Sequence, residues 1–109
     1  MNVKRIGMFV VLALVVAVGV VFAQATLSQQ GRAIANLSIG RGYVINHPSL
    51  RVGINVIVAN TVTGKEVLAI VGGRCLPLGE YVIAELSGAI WRDLELNSTT
   101  VIRITTVPN

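Results

Sequence analysis

The sequence INVIVANTVTGKEVLAIV spans residues 54–71 and carries the strongest structural signal in this chain of 109 residues. Ile54, Val56 and Val58 stand at every second position, and β-branched residues dominate both halves of the stretch. A polar segment containing Gly64 separates the halves, and residues 67–71 return the chain. The stretch therefore predicts a β-hairpin.

The residues that follow the hairpin predict an interrupted strand, a loop and another strand. Gly72-Gly73 has no side chains, so we expect the second arm to break there, where the chain bends or lets another group approach its backbone closely. Residues 76–79 contain Pro and Gly and predict a loop. Tyr81 to Ala84 predicts a further short strand.

One helix and a final strand are predicted beyond this point. Ser87 to Leu96 has an apolar face, with Ser87 as the predicted cap and Asn97 at its end. Thr99 to Val107 alternates again and predicts the last strand. Several short strands with one small helix favour a compact barrel, because closure removes the exposed edges that so small a sheet cannot otherwise cover.

The residues before the hairpin divide into a polar and a β-type segment. Thr26 to Arg32 is rich in Gln and has no period, which is typical of a flexible start or a short spacer. The pattern then changes to short β-type runs at residues 34–39 and at Tyr43 to Asn46. Pro48 disfavours a helical conformation at His47, so His47 is predicted at a strand end or in a loop.

The amino terminus predicts an exported protein. Lys4 and Arg5 precede an uncharged apolar run from Ile6 to Phe22, and small residues offer cleavage points after Ala23 or Ala25. The run is about 17 residues long, at the low edge of what spans a bilayer, so an uncleaved anchor remains the alternative to a signal peptide. Any membrane contact is expected through this leader alone.

Composition narrows the functional classes. About 85 residues remain after the leader, enough for one small domain. Their net charge is about +2, with no basic cluster and few aromatic residues, which argues against a nucleic-acid surface. Cys75 is the only cysteine, and a small buried hydrophobic role is favoured over a reactive thiol. With a single His and no second Cys or paired acids at ligand spacing, no metal site or other cofactor is predicted.

Residues 42–106 resemble the double-psi β-barrel domain of the rare-lipoprotein-A family, bacterial envelope proteins distantly similar to expansins and barwin. Arg51 stands where this family usually has Pro, and Glu85 displaces an Asp. The matching positions are His47, Leu50, Gly53, Val56, Val58, Asn60, Gly64, Lys65, Arg74, Ile83, Leu86, Ser87 and Ala89.

The resemblance implies a mainly β fold, a small six-stranded double-psi β-barrel with one short helix, preceded by the signal or anchor helix. We expect residues 1–25 to form the leader, 26–41 an N-terminal extension and first strand, and 42–109 the barrel core.

Members of the family include lytic transglycosylases that cleave peptidoglycan glycan strands. Such chemistry needs a carboxylic acid that protonates the departing oxygen. In the resembled enzymes this acid is an Asp, and the alignment places Gly73 at its position. Glu85 could take over the catalytic role with support from His47, against an alternative structural role for Glu85 in an ion pair or hydrogen bond.

The resemblance also suggests which side chains would face a glycan. His47 would bond a sugar hydroxyl or support a carboxylate, and Arg74 would bond hydroxyls or a peptide-stem carboxylate, or else pair with Glu80 or Glu85. Tyr43 is the candidate for stacking on a sugar face. Trp91, on the apolar side of the predicted helix, is expected in the core.

Three functions follow as hypotheses. The first is an exported periplasmic or cell-envelope barrel that binds peptidoglycan glycan strands through His47, Arg74, Glu85 and Tyr43 without efficient catalysis. The second is a lytic transglycosylase that uses Glu85. The third is an envelope protein that contacts another protein and no sugar.

Overall fold

The computed structural model describes residues 26–108. The predicted leader, residues 1–25 with its signal or anchor helix, lies outside the described residues. The strands are β1 (Ser28–Ala35), β2 (Val44–His47), β3 (Asn55–Asn60), β4 (Glu66–Arg74), β5 (Val82–Leu86) and β6 (Ile102–Thr106), with a helix α1 (Gly88–Asp93) and a 3-10 turn (Leu37–Ile39). Across the described range, no helix combines the length and the apolar character needed to cross a bilayer.

The six strands close into a barrel in the order β1-β5-β2-β4-β3-β6. The pairs β1–β5 and β2–β4 are parallel, and the other four pairs are antiparallel. Each strand has a neighbour on both sides, so closure satisfies the backbone groups that an open sheet would leave at its edges. The predicted mainly β, six-stranded barrel with one short helix is confirmed.

The predicted hairpin forms β3 and β4, and its alternation fills the core. Val56 and Val58 are fully buried, while Ile57 between them is only half-buried. The buried side chain of Asn60 organises the connection, because its Oδ1 accepts from the Val62 N–H at 2.9 Å and its Nδ2 donates to the Leu94 carbonyl at 2.8 Å. Such a paired amide stabilises a turn that would otherwise bury an unsatisfied group.

The flexible start predicted for residues 26–32 is wrong from residue 28 onward. Residues 28–35 form β1, which pairs with β5 on one side and β6 on the other. Of its eight residues only Ala33 is buried, so the strand carries no apolar alternation that a sequence pattern could reveal. A Cβ at Gly31 would lie 2.7 Å from the Tyr81 carbonyl oxygen, so the close approach of β1 to the start of β5 requires glycine.

The break expected at Gly72-Gly73 is also wrong, because β4 continues to Arg74. The close approach expected there is correct. The register of β4 against β2 shifts by one residue at this point, and a Cβ at Gly72 would lie 2.5 Å from Cγ1 of Val44. Gly72 is therefore the one residue here without a partner in β2, as the extra residue of a β-bulge would be, and the strand continues past it.

The helix is shorter than predicted, ending at Asp93 instead of Leu96. Ser87 precedes it, but its hydroxyl makes no cap and instead donates to the Gly42 carbonyl oxygen at 2.7 Å. Trp91 is half-buried and packs against the core, as expected. The final strand is β6, Ile102–Thr106, which is shorter at both ends than predicted.

Candidate functional site

Four residues lie side by side across β1, β5, β2 and β4. The strand register pairs Ile34 with Glu85, Glu85 with Asn46, and Asn46 with Gly73. We call these four residues the Glu85 row. The row brings the position predicted for the family's acid, Gly73, onto the same surface as the fallback carboxylate, Glu85.

The Glu85 row faces outward from the barrel. Ile45 and Leu86 are fully buried, and successive side chains of a strand point to opposite faces, so their neighbours Asn46 and Glu85 point away from the core. Both are half-buried, and Ile34 is 41% exposed. The row is thus a surface feature with an apolar end and a polar centre.

The polar centre of the row is a hydrogen bond between an amide and a carboxylate. Asn46 Nδ2 donates to Glu85 Oε1 at 3.1 Å. On its other side the same amide covers Gly73, where a Cβ would lie 2.9 Å from Asn46 Oδ1. Asn46 therefore occupies the space that any side chain at position 73 would need.

Cys75 is a half-buried free thiol beside this surface. Burial raises the pKa of Cys75, and the negative charge of Glu85 raises it further. A thiol held in its protonated form is a poor nucleophile, which favours the interpretation of Cys75 as a small structural side chain.

His47 ends β2, at the strand end where it was predicted, and it is only 3% exposed. Its Nδ1 accepts from the Ser49 N–H at 3.1 Å and the Leu50 N–H at 3.0 Å. Its Nε2 lies 2.8 Å from Gln29 Oε1. Because Nδ1 receives two donors, the proton of the neutral ring is assigned to Nε2, which donates to Gln29. Burial lowers the pKa of His47, in keeping with a neutral ring.

The structure does not bring His47 and Glu85 together. Asn46 and His47 are consecutive in β2, so their side chains lie on opposite faces, and Glu85 sits with Asn46. Arg74 is the register partner of His47 at the exposed end of β4. Within residues 26–108, Arg74 forms no ion pair, so the predicted pairing with Glu80 or Glu85 is absent.

Tyr43, the predicted stacking residue, is 37% exposed and tied to the helix region. Its hydroxyl donates to Oδ2 of Asp93 at the end of α1. This hydrogen bond is the main reason that the pKa of Tyr43 is raised and the pKa of Asp93 is lowered. The contact joins the residue just before β2 to the end of α1.

An open pocket of about 280 Å³ lies at the end of the barrel next to His47. We call it the His47 pocket, and it is separate from the Glu85 row. It is lined by Leu27, Ser28, Gln29, His47, Ser49, Leu50, Ile104 and Thr106. In the described part of the chain, no three His, Cys, Asp or Glu side chains converge as metal ligands would.

Sequence reasoning missed Gln29 and Asn46. Gln29 lies in the polar segment that was interpreted as a spacer, and no local signal distinguishes it from Gln30. Asn46 could have been found, because strand alternation places it opposite to its neighbours Ile45 and His47. Asp93, the partner of Tyr43, has no such signal, because it depends on where α1 packs.

No protein-family model and no curated protein matches this chain. Among solved structures, it is similar to the crystal structure of the computationally designed protein msDPBB_sym2, a double-psi β-barrel, with a TM-score of 0.59 and 16% sequence identity. The match covers 74% of this chain and 100% of the designed one. Residues 26–108 thus fold as a double-psi β-barrel.

Proposed function

We propose that this protein is an exported cell-envelope barrel that binds peptidoglycan glycan strands through the Glu85 row and does not cleave them efficiently. One observation carries the proposal. The single carboxylate of the row, Glu85, already accepts a hydrogen bond from Asn46, and Gly73, where the resemblance places the enzymes' acid, lies beside Asn46 without a side chain.

The chemistry of the row suits a saccharide. A sugar ring presents hydroxyl groups at its edge and C–H groups on its face, so it needs donors, acceptors and a small apolar contact. Glu85 has a second oxygen and Asn46 a second N–H available, and Ile34 offers an exposed apolar side chain beside them. Gly73 adds no side chain to the row, so Asn46 is the group that covers the backbone of β4 at this point.

The same arrangement is poorly suited to cleavage. A lytic transglycosylase needs one carboxylic acid that first gives and then takes a proton at the glycosidic oxygen. Glu85 is held by an amide donor on the outer face. His47 is neutral, buried and turned to the other face, so it gives Glu85 no direct support.

Export is supported by the amino-terminal pattern. Lys4 and Arg5 followed by the apolar run of residues 6–22 are typical of a secretory signal. Export would bring the barrel to the peptidoglycan of a bacterial envelope, and the leader is the proposed membrane contact.

Co-sedimentation with purified peptidoglycan sacculi tests the proposal. The wild-type protein is expected in the pellet, and Glu85→Gln, which keeps an acceptor for Asn46 but loses the charge, should bind about tenfold more weakly. Glu66→Gln is the matched control, because Glu66 is an exposed carboxylate at the opposite end of β4. Its binding should equal that of the wild type.

The outcomes separate the three functional hypotheses. Sedimentation no greater than that of an unrelated protein of similar charge would reject glycan binding and favour a protein partner. Release of soluble murein fragments that stops in Glu85→Gln would favour the transglycosylase. Equal binding by Glu85→Gln and the wild type would exclude the Glu85 row as the binding surface.

A further inference from the structure

The hydrogen bonds of His47 form a chain in which each donor is determined by the one before it. The Ser49 and Leu50 N–H groups donate to Nδ1, so the ring carries its proton on Nε2. Nε2 then donates to Gln29 Oε1 at 2.8 Å. Two backbone amides thereby determine the orientation of a side-chain amide on another strand.

The consequence for Gln29 is that its Nε2 group is left to donate. A side-chain amide has one acceptor oxygen and two N–H donors, and here the oxygen is used by His47. Among residues 26–108, Nε2 of Gln29 has no hydrogen-bond partner, and Gln29 lines the His47 pocket. The pocket thus has a donor whose identity is fixed by its surroundings.

The walls of the pocket carry no formal charge. Leu27, Leu50 and Ile104 supply apolar surface, and the hydroxyls of Ser28, Ser49 and Thr106 supply neutral polar groups. His47 is neutral because protonation of Nδ1 would oppose both backbone donors. A charged ligand would lose hydration here without gaining a countercharge. An uncharged ligand with an apolar body loses much less hydration free energy on entering the pocket.

We propose that the His47 pocket binds a small uncharged ligand with a carbonyl oxygen on an apolar body. The oxygen accepts from Nε2 of Gln29, and the body contacts Leu27, Leu50 and Ile104. The volume of about 280 Å³ corresponds to roughly nine water molecules of liquid, which suits a single ring with its substituents.

This site is independent of the glycan surface. The Glu85 row lies on the outer face of β1, β5, β2 and β4. The pocket opens between the start of β1, the loop after β2 and the end of β6. Neither site needs the other, so failure of glycan binding leaves the pocket proposal standing, and the reverse also holds.

Titration of the labelled protein with 2-piperidone, a neutral six-membered lactam, tests the proposal by amide NMR at pH 7.5. We expect saturable shifts at the amides of Leu50 and Ile104. Piperidinium, which has the same ring with a positive charge and no carbonyl, should produce no saturable shift at these amides.

Matched variants identify the donor. Gln29→Met keeps the length of the side chain without a donor and should bind about three- to tenfold more weakly. Gln30→Met changes the next residue, whose side chain lies on the opposite face of β1, and should bind as the wild type does. Gln29→Glu keeps an acceptor for His47 but has no donor, and should lose binding similarly.

The proposal is overturned if 2-piperidone causes no saturable shifts at the pocket, if piperidinium binds there as well as the lactam, or if Gln29→Met and Gln30→Met bind equally. The spectra of both variants also report folding, so a loss of binding in a folded Gln29→Met protein is attributable to the donor.

Discussion

Asn46 and His47 are joined by one peptide bond, yet they belong to two regions of opposite character. His47 is buried, and both of its ring nitrogens are hydrogen-bonded within the barrel. Asn46 faces outward with Glu85, and their hydrogen bond leaves groups free for a ligand. The contrast shows that sequence order alone does not define a cleft, because strand alternation sends neighbouring residues to different faces.

The largest expected difference comes from one substitution in each region. His47→Ala should lower the free energy of unfolding by about 2–4 kcal/mol, because two N–H groups lose their acceptor and a cavity forms. Glu85→Gln should stay within about 0.5 kcal/mol of the wild type. Urea unfolding of both proteins measures the difference, and equal midpoints would show that His47 does not organise the barrel end.

The second prediction concerns the space above Gly73. Gly73→Asp should destabilise the protein by about 1–3 kcal/mol, because its Cβ would meet Asn46 Oδ1 at 2.9 Å. Asn46→Ala in the same chain should recover part of this loss, with a coupling energy of about 1 kcal/mol in a double-mutant cycle. Additive effects would mean that Asn46 does not fill the space of a side chain at position 73.

The pH dependence of stability should also separate the two regions. Since burial lowers the pKa of His47, the unfolded chain binds a proton more readily than the folded one. Stability is therefore full above the ordinary His pKa of about 6.5 and declines as the pH falls from there through the lowered folded pKa. The effect should be smaller than that of His47→Ala, because the protonated ring remains packed.

Urea midpoints at pH 7.5 and at pH 5 measure this change. In His47→Gln, which can accept the same backbone donors without titrating, the decline over that interval should be smaller than in the wild type. Equal declines in the two proteins would assign the pH dependence to other groups.

The smallest effect is expected at Tyr43. Asp93→Asn should lower the pKa of the Tyr43 phenol toward its ordinary value, because its hydrogen bond to a carboxylate is what chiefly raises it. An absorbance titration measures the change. An unchanged phenol titration in Asp93→Asn would show that the contact is absent in solution.

Tyr43→Phe should bind sacculi as the wild type does, since the Glu85 row does not include Tyr43.

Much of the fold was predictable, because apolar side chains that alternate along a strand point into the core. The hairpin of β3 and β4, with Val56 and Val58 in the core, and the presence of a closed barrel belong to this class. Strand β1 was not predicted, because it buries only Ala33. It is held by backbone pairing with β5 and β6, which leaves no pattern in the side chains. At Gly72-Gly73, missing side chains indicated a break, although a bulge inside a strand requires the same residues.

The site was predictable in part. The resemblance singled out Glu85 and Gly73 before the structure placed them on one surface. The separation of His47 from Glu85 could not be predicted, because it depends on which face of the barrel each residue takes after the register shift between Ile45 and Asn46. The role of Gln29 could not be predicted either, because it arises from a contact with His47, which lies 18 positions further along the chain.

The central claim is that the Glu85 row holds glycan strands without cutting them. The most direct test is incubation of purified sacculi with wild-type protein, with mass spectrometry of the soluble fraction alongside the bound fraction. The account predicts protein in the pellet and no soluble fragments above the buffer control. Soluble murein fragments from the wild type that disappear with Glu85→Gln would contradict it.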